Sequence, residues 1–545
     1  MKKIKQIILQ VILSFVIITN CNSQNWQWAK HFGSVNGDAA GEMCVDQTGN
    51  IYLTGQFALP QGIFGSDTIT TQGAVDGYIV KYNSNGNFIW AKRAGGYSFQ
   101  TSEGDGVSSI AYEALSNTII VTGTMDGTSQ VVDSCHIGSG NKVWLSKLDL
   151  NGNCIWSVSQ AFGSQADGGI ITVDNSGSIY MICGNTNYTY INGTFIPAGC
   201  FLAKFNSLDG ACVWAKKIIN PTSYPTSLKY FNNNLYMGGG CSNDTVHLDT
   251  ATIYAHKYDT FISKFDTAGN VLWLKTMGGP NVDLGGTLDL DGNGNIYTTG
   301  YFTDTAYFGS TMLTNGTNKD WYIAKYRNNG NLVWVKQAHS TANIDFGRLS
   351  TDHNGNTYAS GLFSGAATFG SSTVTATSAS DMFITRYDSS GVCLGVRNVN
   401  VSSIYGNGGD VITNTNGGCY VSNNFQSTAN FDANGVTSYG NYDIYLAKLN
   451  AITGIDTKRA INNNTLVIYA NPNKGTCNIT VPDDLLHEDN LVLKIFDTNG
   501  KLIQQLPVAI DQEKVKINIQ EEATGIYNVT LGNSKKIYSG KIVFE

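Results

Sequence analysis

One ten-residue phrase constrains this chain more than anything else in it. Lys81-Tyr-Asn-Ser-Asn-Gly-Asn-Phe-Ile-Trp90 recurs down most of the sequence, so that Trp28, Trp90, Trp156, Trp214, Trp273 and Trp334 are equivalent and Gly395 takes the seventh place. The spacings are 62, 66, 58, 59, 61 and 61 residues. A second phrase, Gly49-Asn-Ile-Tyr-Leu-Thr-Gly55, returns at Gly294–Gly300 and Gly355–Gly361, with looser copies centred on Ile120, Tyr180, Tyr236 and Tyr420. A third places a basic residue once per period, at Lys81, Lys147, Lys204, Lys264, Lys325, Arg386 and Lys448. An Asp stands five residues earlier at Asp76, Asp259, Asp320, Asp381 and Asp443. A fixed period of this size is the mark of a repeat architecture, in which each unit buries its faces against its neighbours.

Each period reads as four short strands, A to D. In the first period A lies near Glu42–Asp46, B near Ile51–Phe57, C near Tyr78–Tyr82 and D near Phe88–Lys92. Alternating apolar residues and Asn-Gly or Ser-Gly turns support the A–B and C–D hairpins. The first repeat element is a lone D strand, Trp26–Lys30. The last is a C strand, Tyr445–Leu449, with no D strand after it. The chain is therefore expected to be all-β: a seven-bladed β-propeller whose amino-terminal strand closes the last blade, followed by a small β-sandwich. Composition agrees. Only 14% of residues are charged, against about 25% in ordinary domains, and 61 glycines but 8 prolines suit a chain of turns.

These units resemble the SBBP repeats of secreted bacterial β-propellers, most closely at Leu288–Gly300 and Asp320–Lys325. That resemblance covers residues 25–450 and implies architecture rather than chemistry. At the amino terminus, Lys2, Lys3 and Lys5 precede an apolar run from Ile7 to Ile18, which is the pattern of a signal peptide too short to cross a bilayer. Cleavage is expected after Ser23, with Cys21 and Ser23 as the small residues of the site. Lipoprotein processing at Cys21 is the rival, disfavoured by Asn20. Residues 1–23 are thus assigned to the signal, 24–450 to the propeller, 451–465 to a linker and 466–545 to a carboxy-terminal module. No transmembrane segment is expected in the mature chain, whose formal charge moves from −7 to −10 on loss of three lysines. Nucleic acid is an unsuitable partner for so acidic a surface.

The carboxy-terminal module is Lys-richer, with alternating runs Leu491–Phe496 and Val515–Ile519. It resembles the carboxy-terminal sorting domain of the Bacteroidetes type IX secretion system. Four stretches carry the likeness: Tyr469-Ala-Asn-Pro-Asn-Lys-Gly475, Asp497-Thr-Asn-Gly-Lys-Leu-Ile503, Gly525-Ile-Tyr-Asn-Val529 and Lys541–Glu545. The matching positions include Asn471, Pro472, Gly475, Asp497, Gly500, Lys501, Gly525 and Tyr527. Ala470, where the family usually has Pro, and the final Glu545 depart from it. The resemblance implies type IX machinery as a partner, passage through the periplasm, and secretion or retention on the outer cell surface.

Catalytic signatures are scarce. No GxSxG, HExxH, GxGxxG or P-loop occurs, and the seven histidines share no repeat position. Asp289-Leu-Asp-Gly-Asn-Gly-Asn295 begins like a calcium loop, but Gly300 stands where the bidentate Glu belongs. Asp46, Asp174, Asp291 and Asp352 precede the A–B turns, where a carboxylate stabilises the turn. The strand-C Asp is expected to cap its strand, and the strand-C Lys to lay its stem over the neighbouring sheet. The tryptophans are expected between blades. Ten cysteines survive signal removal without a repeating framework, leaving disulfides and buried thiols both open.

The sharpest site hypothesis concerns the D–A loops. Asp38, Asp105, Asp167, Asp283 and Asp345 all precede strand A, and carboxylates there would ring one mouth of a central channel. Such a ring would hold a cation, with calcium the one candidate cofactor, or meet sugar hydroxyls; turn capping is the competing role. The long B–C segments, Ala58–Val75 and Thr303–Lys319 among them, open on the same mouth. The expected function is a secreted or cell-surface binding, adhesion or scaffold module for a glycan or protein ligand, without catalysis. The alternative is an extracellular propeller enzyme, cleaving glycans or lactones with carboxylates at the channel mouth.

Overall fold

In the computed structural model every element among the described residues is a β-strand. Those residues are 26–450 and 466–545, apart from 98–104, 127, 141, 162–168, 186–188, 192–193, 220–222, 243–244, 249–250, 404–408, 415–416, 470, 483–484, 486–487, 498–500, 510–511, 521 and 534–536. The expected signal peptide and linker, and with them Asp167 and Gly500, lie outside this set. The chain divides into two units, Met1–Thr453 and Gly454–Glu545.

In the first unit the repeat becomes an antiparallel meander. Ala39–Val45, Ile51–Ala58, Val75–Tyr82 and Phe88–Tyr97 pair in sequence as A, B, C and D. Further meanders start at Gly106, Ile170, Ser223, Leu284 and Ile344. The last set is Asp410–Thr413, Cys419–Asn430 and Asp443–Leu449, and its fourth member is the amino-terminal strand Trp26–Ser34. There Trp28 stands opposite Lys448 and Phe32 opposite Ile444. The A–B turns form for a local reason. Asp46 Oδ1 accepts the N–H groups of Thr48 and Asn50 at 2.9 Å, which frees Gly49 to take φ +85°. Asp174, Asp291 and Asp352 do the same in their turns.

The B–C segments are built as hairpins rather than open loops. Gln61–Phe64 pairs with Asp67–Thr70 and then with Gly33–Ser34 of the amino-terminal strand. Thr128–Val132, the outer half of Ile296–Phe308, and Ala366–Phe369 likewise pair with the D strand of the preceding meander. One disulfide, Cys135–Cys154, joins such a hairpin to the D strand of its own meander.

The repeat residues themselves tie neighbours together. Lys81 Nζ and Trp90 Nε1 both donate to the Leu150 carbonyl, at 2.8 and 3.1 Å, in the C–D turn of the next meander. Lys147 and Trp156 reach Ser207 O, Lys264 and Trp273 reach Asn328 O, and Lys325 and Trp334 reach Ser389 O. Lys448 donates to Ser84 O, so the last set latches onto the first meander. Each indole lies on the glycine of that turn: Trp28 on Gly86, Trp90 on Gly152, Trp156 on Gly210, Trp214 on Gly269, Trp273 on Gly330 and Trp334 on Gly391. These glycines have φ between +71° and +84°, so the turn needs them for its backbone and the indole needs them for room. The Lys ammonium groups ride over tyrosines of strand B, as Lys81 does over Tyr52 at 4.9 Å.

The second unit stacks two antiparallel sheets, Val467–Tyr469 with Thr476–Thr480 and Lys514–Asn518, and Leu502–Val508 with Leu491–Phe496, Gly525–Gly532 and Ile537–Phe544. Alternation along Leu491–Phe496 and Lys514–Asn518 turns one face inward, and Ile479, Ile517, Leu493, Ile495, Val529 and Ile542 share a core.

Candidate functional site

The A strands of the first unit are innermost and converge on a common cavity of about 760 Å3. Its wall carries Tyr224, Tyr301 and Phe346, with Lys319, Asp345 and Asn423 between them. Tyr301 and Phe346 rings stand 6.0 Å apart, and Lys319 Nζ sits 4.0 Å over the Tyr301 ring while bonding Asp345 at 3.0 Å. Aromatic faces beside fixed polar groups suit a ligand with apolar and hydroxyl-bearing sides.

A charge network crosses the cavity's inner end. Arg348 Nη1 lies 2.6 Å from Glu42 Oε1, and the other Glu42 oxygen accepts from Ser109 Oγ at 2.6 Å. Asp410 Oδ2 accepts the Met43 N–H at 2.7 Å. Burial pushes the Asp410 carboxyl up to about 6 and Glu42 adds to the rise, while Arg348 opposes it. Lys229 lies 3.4 Å from Asp289, whose carboxylate holds the ammonium above its ordinary range. Arg348, Asp410 and Thr287 line both this cavity and a second one of about 340 Å3 beyond it. The network is thus a floor between two compartments. By strand register Glu42, Arg348 and Asp410 occupy one repeat position, filled by Ser109, Ile170, Ser227 and Thr287 in the other meanders, and Lys229 and Asp289 share a second. Their sequence signal is a charge at these two A-strand positions, which lie outside the recurring phrases.

The aspartates expected to ring one mouth have different surroundings. Asp38, Asp105 and Asp283 are buried, and each staples one meander to the next. Asp38 accepts from Ser34 N at 2.5 Å and Ala58 N at 3.0 Å. Asp105 accepts from Gly96 N and Asp126 N, and Asp283 from Gly279 N and Thr303 N. Burial raises all three carboxyls, to about 6 for Asp38 and about 7 for Asp105 and Asp283. Asp345 alone of the four described lines the cavity, paired with Lys319. Among the described residues no three His, Cys, Asp or Glu side chains gather as a metal-binding group. The strand-C aspartates cap their strands, Asp76 accepting Gln72 N and Asp381 accepting Thr377 N, each at 2.8 Å.

The sorting-motif residues hold the second unit's ends together. Asn471 donates to Lys541 O and accepts from Val543 N, both at 2.7 Å. Asn473 Nδ2 donates to Val543 O, and its Oδ1 accepts from Gly475 N, where φ is +89°. Pro472 lies between these two asparagines. Asp497 accepts the Lys501 N–H at 2.8 Å, and Tyr527 OH donates to Ala523 O beyond Gly525.

Residues 467–545 match the family model described as the secretion system C-terminal sorting domain. The tail is a sorting domain. It directs the protein to secretion by the type IX route, to the cell surface or the extracellular space. The chain is 28% identical over 229 residues to an uncharacterized WD repeat-containing protein of Acanthamoeba polyphaga mimivirus, covering 38% of this chain and 15% of that one. The chain thus spans well under a fifth of that relative's length. Similar solved structures include the β-propeller domain of the Trilobed protease from Pyrococcus furiosus (TM-score 0.38, 8% identity, 78% of this chain and 99% of that one). A quinohemoprotein alcohol dehydrogenase from Pseudomonas putida is another (TM-score 0.37, 11% identity, 80% and 78%). No helix among the described residues is long and apolar enough to cross a membrane.

Proposed function

We propose that residues 26–450 form a closed ring of seven blades, completed by the amino-terminal strand, that works outside the cell as a non-catalytic binding module. In this reading the ligand, a glycan or a protein side chain, enters the aromatic cavity at one mouth of the channel and stops at the Arg348–Glu42 floor.

The observation that carries it is that cavity of about 760 Å3, walled by Tyr224, Tyr301 and Phe346 and closed below by fixed charges. Its existence depends on the ring, and the latches support the ring. They run from each set to the next and return from Lys448 to Ser84.

The test is a glycan array and a panel of extracellular proteins probed with the mature chain. Binding lost in a Tyr301→Ala/Phe346→Ala variant of unchanged melting temperature supports the reading. Ligands that bind this variant as well as wild type sink it. One observation favours the enzymatic alternative: burial raises the Asp410 carboxyl, beside Arg348, to about 6, toward the range a general acid uses. Turnover of a glycan or lactone, abolished by Asp410→Asn, would move the reading there.

A further inference from the structure

Three of the buried aspartate staples have a second carboxyl beside them. Asp38 faces Asp443, Asp105 faces Asp76, and Asp283 faces Asp259; all six side chains are at most 4% exposed. Each pair meets at the residue five places after the repeat tryptophan or just beside it. A Cβ on Gly33 would lie 2.3 Å from Asp38 Oδ2 and 3.1 Å from Asp443 Oδ1. One on Gly278 would lie 2.2 Å from Asp259 Oδ1 and 3.1 Å from Asp283 Oδ2, and one on Gly95 2.6 Å from Asp76 Oδ1. Over Gly33 and Gly278 the two carboxyls therefore converge with no side chain between them, and in the middle pair Asp76 lies against Gly95 while Asp105 accepts the N–H of the adjacent Gly96.

In all three pairs the same oxygen is left over. Asp76, Asp259 and Asp443 each spend Oδ2 on a backbone N–H, from Gln72, His256 and Tyr439. Their Oδ1 atoms are buried and make no well-aligned hydrogen bond, although the N–H groups of Gly73 and Gly440 approach the Asp76 and Asp443 carboxyls. An acceptor oxygen without a well-aligned donor, set against a second acid, is costly unless one of the two carries a proton. The fifth meander supplies the contrast. There the glycine position is His339, and its Nδ1 sits 2.5 Å from Asp320 Oδ2 while Asp345 turns away to Lys319. Where a basic side chain fills the gap, the acid pair is absent.

We propose that each of these pairs holds a single proton between its two carboxyls, so that three blade junctions are fastened by acid-to-acid hydrogen bonds that come undone in alkaline surroundings. The groups around them leave the proton as the fitting occupant. Both oxygens of Asp38, Asp105 and Asp283 already accept N–H groups, which leaves a cation one free oxygen in each pair. The phenols of Tyr78 and Tyr439 face the first pair, and both are themselves pushed up. Arg93, 3.0 Å from Asp76 Oδ2, and Asp126 face the second. His256, Asp304, Tyr301, Tyr322 and Cys241 face the third. Arg93 tempers the middle pair, so the first and third are the strongest.

The sign follows from linkage. Burial lifts Asp443 and Asp283 to about 7 and Asp38 to about 6, above the ordinary carboxyl near 3.8. A carboxyl raised on folding stabilises fully below its unfolded value and loses that contribution as pH climbs through its folded value. The ring is therefore expected to be firmest in acid surroundings and to loosen as pH rises from about 4 to about 7.

Thermal unfolding of the mature chain, followed by tryptophan fluorescence from pH 5 to 8.5, tests this. The expected result is a fall of about 5–10 °C over that range. In Asp443→Asn/Asp259→Asn the amide donates to the neighbouring carboxylate without a proton, so the slope flattens and the melting temperature at pH 8.5 exceeds that of wild type. An equal slope in the variant overturns the proposal. So does a rise of several degrees on adding millimolar calcium to wild type, because that assigns the pairs to a cation. Should the variant fail to fold, infrared difference spectra of wild type decide: a protonated carboxyl band present at pH 5.5 and gone at pH 8.5 is expected, and its absence at pH 5.5 overturns the proposal.

Discussion

Adding one methyl group at Gly391 tests the latch that the repeat encodes. Gly391 has φ +84°, and a Cβ there would come within 2.8 Å of Lys336 Cε and 2.9 Å of Trp334 Cδ2. Gly391→Ala therefore carries two penalties. The left-handed backbone costs about 1–2 kcal/mol for a residue with a Cβ, and forcing a methyl under a packed indole costs about 1–3 kcal/mol. Gly417 isolates the first of these: its φ is +75° and a Cβ would meet nothing within 4 Å. Gly417→Ala should thus lose about 1–2 kcal/mol and Gly391→Ala about 2–5 kcal/mol. All nine tryptophans lie between Trp26 and Trp334, so fluorescence-detected urea unfolding follows the repeat unit without contribution from the tail. Equal losses in the two variants would refute the claim that the turn glycine is kept for the neighbouring blade's indole.

Two further outcomes follow from the cavity floor and the tail. Arg348→Ala removes the partner of Glu42 and the countercharge of Asp410, costing about 1–3 kcal/mol at pH 8 for a pair that is partly solvated. Asp410 already titrates near 6, so at pH 5 it takes up a proton and the deficit in melting temperature should shrink; equal deficits at pH 5 and 8 would contradict this. Asn473→Ala orphans Gly475 N at a buried site, a loss of about 1–3 kcal/mol, while Val543 O keeps the backbone N–H of residue 473. The expected phenotype is protein held in the periplasm on cell fractionation, and normal export would argue against a structural role for the motif.

The period, the strand order and the lone D strand at the start are legible because each is written once per repeat. The indole's purpose is half legible. Trp273 and the glycine of Asn328-Asn-Gly330 are both conspicuous, yet they belong to different repeats and meet only when blades stack. The aspartates before strand A look alike in sequence, and their context separates them: a glycine five residues after tryptophan accompanies Asp38, Asp105 and Asp283, whereas His339 precedes Asp345. Of the two roles open to them, a ring at the channel mouth and turn capping, N–H groups at two strand ends give three of these carboxylates the capping one. Glu42, Arg348 and Asp410 share one repeat position, but its charges differ in sign and its other occupants are uncharged, so no recurring residue type marks it. The Cys135–Cys154 bridge escapes a sequence reading because spacing alone does not fix connectivity.

Everything proposed for the cavity rests on the ring being closed by its first strand. Deleting Trp26–Ser34 from the mature chain tests that closure most directly, because it bares the edge of Asp443–Leu449 and removes the blade that carries Trp28 onto Gly86. The account predicts a melting temperature lowered by about 10 °C or more, association through the exposed edge, and recovery when a peptide of residues 26–34 is added in trans. A deleted chain that stays monomeric and melts with wild type would contradict it.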